Sequence, residues 1–202
     1  MVDRAVFQLV YAGDPPPWDI DHPQRVFVEV ADRIAGAVLD AGCGTGENAI
    51  FFASRGLDVT GIDFLPAPIE RATGKASARG LRATFMVKDA LSLSEWKERF
   101  DVILDSGLFH VFSDGDRARY AAGLARVLRH GGRLFLLCFS DLQPGTEGPR
   151  RISKAELEST FALGWTIESI ERATFEIRAD HRSRFGGTDP QAWFLVARRT
   201  GD

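Results

Sequence analysis

Leu39-Asp40-Ala41-Gly42-Cys43-Gly44-Thr45-Gly46 is the stretch that decides how this chain is read. It follows a short apolar run, Ala37 to Asp40, and precedes a helix-forming segment, Glu47 to Arg55, which Gly56 can close in the left-handed conformation. Glycines at a strand-to-helix turn let backbone approach a ligand without interference from Cβ atoms. The helix start beyond them offers free N–H groups and a dipole that favours a negative group. A nucleoside triphosphate loop would need Gly-Lys-Ser/Thr, and this loop has no lysine. A dinucleotide loop would need G-x-G-x-x-G, yet the last position falls on Glu47 counted from Gly42 and on Ala49 counted from Gly44. A carboxylate at Glu47 facing a pyrophosphate is unfavourable. What remains is a G-x-G-x-G spacing behind an acid, Asp40.

Reading outward, strand-like and helix-like segments alternate. Leu57 to Asp63, Thr84 to Asp89 and Phe100 to Asp105 read as strands, each ending on an acid. Pro68 to Arg79 reads as a helix stopped by Gly80. Ser113 to Arg129 is the clearest helix, with Tyr120, Leu124, Val127 and Leu128 on one face. Gly131-Gly132 is expected to end it before a buried fifth strand, Arg133 to Phe139. Such alternation means βαβ units, a parallel sheet and helices on both faces. Sheets of this kind bind ligands outside the carboxyl ends of their strands. There fall Asp40, Asp63, Asp89 and Asp105.

The flanks differ. Ser153 and Glu156 form a capping box for a helix to Phe161. Trp165 to Phe175 and Ala192 to Arg198 then read as strands. The connection between them has Gly and Pro and no helical period, so an antiparallel hairpin is expected. The fold expected is therefore a single α/β domain over residues 1–202. It is a Rossmann-like doubly wound sheet of about seven strands, mostly parallel, with a C-terminal antiparallel hairpin. At the front, Asp14-Pro15-Pro16-Pro17-Trp18-Asp19 excludes helix and central strand. A helix from Pro23 to about Ala35 is expected behind it, so residues 1–35 form a flap and a helix. The loops 140–152 and 176–191 are expected to cover an acceptor site.

The composition is globular: 202 residues, 45% apolar and 26% charged. This excludes a disordered chain or a Cys-rich secreted scaffold. The net charge of −3 gives no basic footprint for nucleic acid. No stretch approaches the ~18 apolar residues of a membrane span. The two cysteines, Cys43 and Cys138, give no disulfide or metal framework, and a reducing cytoplasm is the default. No metal site is expected, and the chain is read as a monomer or homodimer.

The glycine loop and the spaced strand-end acids resemble the class I S-adenosylmethionine (SAM) methyltransferases. The similarity runs from about residue 24 to 199. Pro17-Trp18-Asp19 before the first helix resembles the small-molecule branch of thiopurine and thiol methyltransferases. The resemblance implies SAM as cofactor and S-adenosylhomocysteine as product. By the same resemblance, Gly42, Gly44 and Gly46 pass beneath the methionine part, and Asp40 holds its ammonium directly or through water. Asp63 takes both ribose hydroxyls. Asp89 and the Ala90 N–H meet the adenine, Phe64 packs on its ring, and Asp105 and Ser106 lie beside the sulfonium through their backbone. Trp18 either covers the cofactor or anchors the front segment.

The activity implied is methyl transfer to an O, N or S atom of a small aromatic or heterocyclic acceptor. Two other readings are a SAM-binding module without catalysis and an NAD(P)-binding oxidoreductase. His110, just after the fourth strand, is either a general base or a histidine packed against Phe109 and Phe112. Phe112 and Phe139 are placed to line an aromatic acceptor pocket. Arg150, beside Arg151, either meets an anionic group on the acceptor or stands in solvent.

Overall fold

Residues 4–201 are described by a computed structural model. The core is set by β1 (Ala37–Ala41), whose successive side chains are buried on opposite faces of the sheet. Val38 packs into one apolar cluster and Leu39 into the other, as a central parallel strand requires. β1 pairs in parallel with β2 (Asp58–Asp63) on one side and β4 (Phe100–Ser106) on the other. β3 (Thr84–Val87) extends the sheet beyond β2, and β5 (Leu128–Phe139) lies beside β4. β6 (Trp165–Thr174) and β7 (Gln191–Arg199) complete it as an antiparallel pair. The strand order is β3-β2-β1-β4-β5-β7-β6, with β7 inserted between β5 and β6. The winding reverses between β1 and β4, and the crevice at their carboxyl ends is where such a sheet takes a ligand.

The helices divide between the two faces. α2 (Arg25–Glu29) and α3 (Glu47–Ser54) supply Phe27, Ala49 and Phe52 to one cluster. α5 (Asp114–Val127) and α6 (Lys154–Thr160) supply Tyr120, Leu124 and Leu157 to the other. α4 (Pro66–Ala78) crosses from β2 to β3. The capping box of α6 is complete, with Ser153 and Glu156 each accepting from the other's backbone N–H. At the start of α5 Ser113 is the N-cap, its Oγ accepting from Asp116 N at 3.3 Å.

Three elements differ from the sequence reading. Residues 4–12 form a helix, α1 (Arg4–Ala12), where only a flap was expected. The expected helix from Pro23 to Ala35 is shortened to α2 and a 3-10 turn, Ala31–Arg33. Distant groups set its start: Gln24 N donates to Asn48 Oδ1 at 3.0 Å and Arg25 N to Glu176 Oε2 at 2.6 Å. Finally, α5 ends at Val127, and Gly131-Gly132 lie inside β5 near a register shift between Phe100 and Val102 on its partner β4.

Gln24 joins the front of the chain to its far end. Its Nε2 donates to the Glu176 carbonyl at 2.9 Å, and its Oε1 accepts from Glu176 N at 2.8 Å. The residue is buried. Replacing Gln24 by Ala should cost about 1–3 kcal/mol, because a buried peptide group loses both partners. Urea denaturation should show a lower midpoint at unchanged slope.

Candidate cofactor and acceptor site

The glycine loop is pinned to the neighbouring strand by Cys43 N, which donates to the Ile62 carbonyl at 2.8 Å. Two of its glycines combine a positive φ with a close neighbour. Gly44 has φ +53° and would carry a Cβ 3.1 Å from the Tyr11 hydroxyl. Gly46, at φ +86°, would drive a Cβ to 2.8 Å from Ala72 Cβ. Beyond it Glu47 is buried and held by Lys75 at 2.6 Å, so a carboxylate does stand at the mouth of the loop.

The four strand-end acids all accept backbone N–H groups from the loops around them. Asp63 Oδ2 accepts from Gly44 N at 3.2 Å and Oδ1 from Leu65 N at 3.0 Å. The Phe64 N–H acts on the same carboxylate. Asp89 lies beyond the end of β3 and caps a 3-10 turn by accepting from Leu91 N at 2.8 Å. Asp40 accepts from Ala49 N at 3.1 Å. Its other oxygen is buried and finds no partner among the described residues. Asp105 Oδ1 accepts from Leu108 N and Phe109 N, and Oδ2 from the Tyr120 hydroxyl at 2.9 Å.

These loops surround a cavity of about 940 Å³. At one end its walls include Gly42, Gly44, Gly46, Asp63, Phe64, Asp89, Ala90 and Ser106, residues that the sequence analysis singled out. Asp40 and Asp105 do not line it. Asp40 lies behind the glycine loop, and Asp105 holds the turn after β4 through the Leu108 and Phe109 N–H groups. Trp18 lines the cavity and donates from Nε1 to the Tyr11 hydroxyl at 3.1 Å, which ties it to the front segment.

The other end is aromatic. His110, Phe112, Phe139, Phe175 and Phe185 line it. The His110 ring lies 5.2 Å from that of Phe139 and 5.9 Å from that of Phe175. Arg150 is at the rim, but its guanidinium binds both Asp114 and Glu156, so its charge is already matched. His110 is held by the sheet itself. β4 stops at Ser106, paired with Leu137, so the next N–H on that edge of β5 has no strand partner. It belongs to Phe139 and donates to His110 Nδ1 at 3.1 Å. Burial, and then the Arg151 charge, lower the His110 pKa to about 3. The ring is neutral.

Sequence reasoning missed Phe7, Tyr11, Asp19 and Thr45. Phe7 packs edge-on to Phe64 at 5.8 Å, and Thr45 Oγ1 donates to Asp19 at 2.6 Å, latching the front tract onto the glycine loop. The signal for the first two was present: Val6, Phe7, Val10 and Tyr11 follow a helical period.

Residues 38–132 match a family of methyltransferase domains. A 2-heptyl-1-hydroxyquinolin-4(1H)-one methyltransferase of Mycobacteroides abscessus is 32% identical over 187 residues, spanning 87% of this chain and 82% of that protein. The chain belongs to the methyltransferase domain family. It is a SAM-dependent methyltransferase. The structure solved for the conversion of a disulfide bond into a thioacetal group during echinomycin biosynthesis is 39% identical to this methyltransferase. It superposes with a TM-score of 0.85 over 99% of this chain and 93% of that one. Burkholderia thailandensis 1,6-didemethyltoxoflavin-N1-methyltransferase, solved with 1,6-didemethyltoxoflavin and S-adenosylhomocysteine, shares the fold at 24% identity. Its TM-score is 0.76, over 98% of this chain and 87% of that one.

The residues of this methyltransferase fit a cationic nucleoside. The glycine cradle leaves little room for side chains, and behind it one Asp40 oxygen is buried without a partner among the described residues, a group whose ionised form a nearby cation would favour. Among the described residues no group of His, Cys, Asp and Glu could hold a metal ion, and no helix is long and apolar enough to cross a membrane.

Burial pushes both Asp40 and Asp105 up from 3.8 to about 7. Folding thus favours their protonated forms, so their contribution to stability is full below about pH 4 and lost as pH rises through about 7. A cation bound nearby favours the ionised forms and expels protons. Calorimetry in buffers of different ionisation enthalpy should show proton release on SAM binding at pH 6–7. Release should be smaller with S-adenosylhomocysteine, which lacks the sulfonium. Equal release for the two ligands would contradict this account.

Proposed function

We propose that this chain methylates an O, N or S atom of a small, flat aromatic or heterocyclic acceptor bound between Phe112, Phe139 and His110. The single observation that carries this reading is the aromatic end of the cavity, continuous with the glycine-loop end. The hydroxyquinolone in the name of the Mycobacteroides relative is an acceptor of that class. Residues 1–202 act in this reading as one domain, with 140–152 and 176–191 contributing Pro149, Ile177 and Phe185 to the acceptor end. The enzyme works in the cytoplasm, as monomer or homodimer and without nucleic acid. A net charge of −3 and two free thiols support that placement.

SAM, when bound, supplies an electrophilic methyl carbon on a sulfonium. Gly42, Gly44 and Gly46 admit its methionine part, with Ser106 beside it. Asp63, which lines the cavity, accepts from the ribose hydroxyls. Asp89 and the Ala90 N–H take the adenine edge, and Phe64 takes its face. Trp18 covers it from the front. At the acceptor end the aromatic walls fix the plane of the acceptor and exclude water from its nucleophile, and positioning of this kind supplies most of the acceleration. A non-catalytic module is not favoured, because the cavity has an acceptor end as well as a cofactor end. An NAD(P) site is not favoured, because the loop has the spacing G-x-G-x-G and not G-x-G-x-x-G.

The test is incubation with methyl-labelled SAM and a panel of hydroxyquinolines, phenols, thiols and amines, read by mass spectrometry. Labelled product should form with flat aromatic acceptors and not with aliphatic amines. SAM binding without transfer to any acceptor would refute the catalytic reading. Asp63→Asn should weaken SAM by about 1.5–3 kcal/mol, since it replaces a charged acceptor by a neutral amide. Calorimetry giving unchanged affinity would remove Asp63 from the ribose.

A further inference from the structure

We propose that His110 serves the acceptor as a hydrogen-bond donor through Nε2–H, and not as a base, so that the site is matched to acceptors that arrive as anions. The proposal rests on the methyltransferase reading above and names its acceptor class: acidic aromatic hydroxyls, N-hydroxy groups and thiols.

The argument is one of lone pairs. A backbone N–H can only donate, so His110 Nδ1 must accept from Phe139 N. A neutral imidazole with Nδ1 unprotonated carries its proton on Nε2. The Nδ1 lone pair is taken by the Phe139 N–H and Nε2 carries the proton, so neither nitrogen has a free lone pair to take a proton from an acceptor. Protonating Nδ1 would strand the Phe139 N–H at the buried edge of β5. Among the described residues Nε2 makes no hydrogen bond, and the side chain lines the cavity. It is a donor awaiting an acceptor atom.

A second feature points the same way. Arg151 stacks over Phe139, with its guanidinium carbon 5.5 Å from the ring centre. Its nitrogens donate to the carbonyls of Gln143, Gly145, Glu147 and Pro149. No carboxylate pairs with it among the described residues, whereas neighbouring Arg150 is matched by two. The aromatic wall is therefore backed by an uncompensated positive charge. Of the segments packed on His110, Gly107 after β4, Phe139 in β5 and Phe175 after β6 carry no charge. The 140–152 loop brings Arg151, which opposes an imidazolium and favours an anion in the cavity.

The chemistry balances without a base. The acceptor loses its proton to water before it binds. Its lone pair forms the bond to the methyl carbon, the carbon–sulfur bond breaks with its electrons left on sulfur, and a neutral methylated product remains. No proton moves in the transfer step. A donor at Nε2 selects the anion and aims its lone pair.

The first test needs neither cofactor nor acceptor. Nitrogen-15 NMR of histidine-labelled protein, with His110 assigned by its loss in His110→Gln, should show a neutral ring protonated at Nε2 from pH 5 to 8. A ring protonated at Nδ1, or one that titrates near neutrality, would overturn the proposal while leaving the methyltransferase reading intact. The second test uses an acceptor identified by the labelled-methyl panel. The rising limb of kcat/KM against pH should follow the pKa of each acceptor tried. A limb that stays at one pH for all acceptors would mean that the enzyme carries a base. His110→Leu should lower kcat/KM by about 10–100-fold, the loss of one hydrogen bond to a charged group. His110→Gln, a donor that is not a base, should restore part of it; equal loss in both variants would count against the donor. Arg151→Met should raise KM for an anionic acceptor more than for a neutral analogue.

Discussion

The site depends on how backbone N–H groups are satisfied where parallel strands stop. At the carboxyl ends of β1, β2, β3 and β4 the chain turns away, and ladder partners run out. Aspartates take over: Asp40 for Ala49, Asp63 for Gly44 and Leu65, Asp89 for Leu91, and Asp105 for Leu108 and Phe109. Each carboxylate braces a loop that forms part of the cavity wall. At the end of β5 the same demand is met by His110. The acids therefore do two jobs, and which acid does which depends on depth. Asp63 and Asp89 brace the backbone and also face the cavity, whereas Asp40 and Asp105 brace it from behind.

The cover of the cavity is assembled from pieces remote in sequence. α1 and the proline tract lie over the glycine loop, held by the Thr45–Asp19 and Trp18–Tyr11 hydrogen bonds and by Arg71 Nη2, which donates to the Tyr11 carbonyl at 3.1 Å. Gln24 and Arg178 then tie this front segment to the stretch after β6, the latter through its N–H to the Pro17 carbonyl at 2.8 Å. The two ends of the chain thereby close the acceptor end between them. Water exclusion, on which an in-line methyl transfer depends, is a property of these long-range contacts.

Charge is graded along the cavity. The cofactor end is backed by buried carboxylates whose ionised forms a cation would stabilise. The acceptor end is backed by Arg151, with the neutral His110 ring turned to donate. An anionic nucleophile and a cationic electrophile are thus each met by the opposite charge, and their reaction removes both charges inside a site built to hold them apart from water.

The amino-acid sequence alone determined the architecture and which residues gather at the glycine-loop end of the cavity. Strand periodicity, the Gly42–Gly46 spacing and strand-end acids are local signals, because strand, turn and helix are decided by neighbours within a few residues. The helical period of Val6 to Tyr11 was local too and passed unread. What only the tertiary structure decided is which groups share a partner. The length of α2 rests on Asn48 and Glu176, the matching of Arg150 on Asp114 and Glu156, and the tautomer of His110 on where β4 ends against β5. A lone pair or a charge can be counted only once every donor around it is in place, and those donors come from segments that the linear order does not bring together.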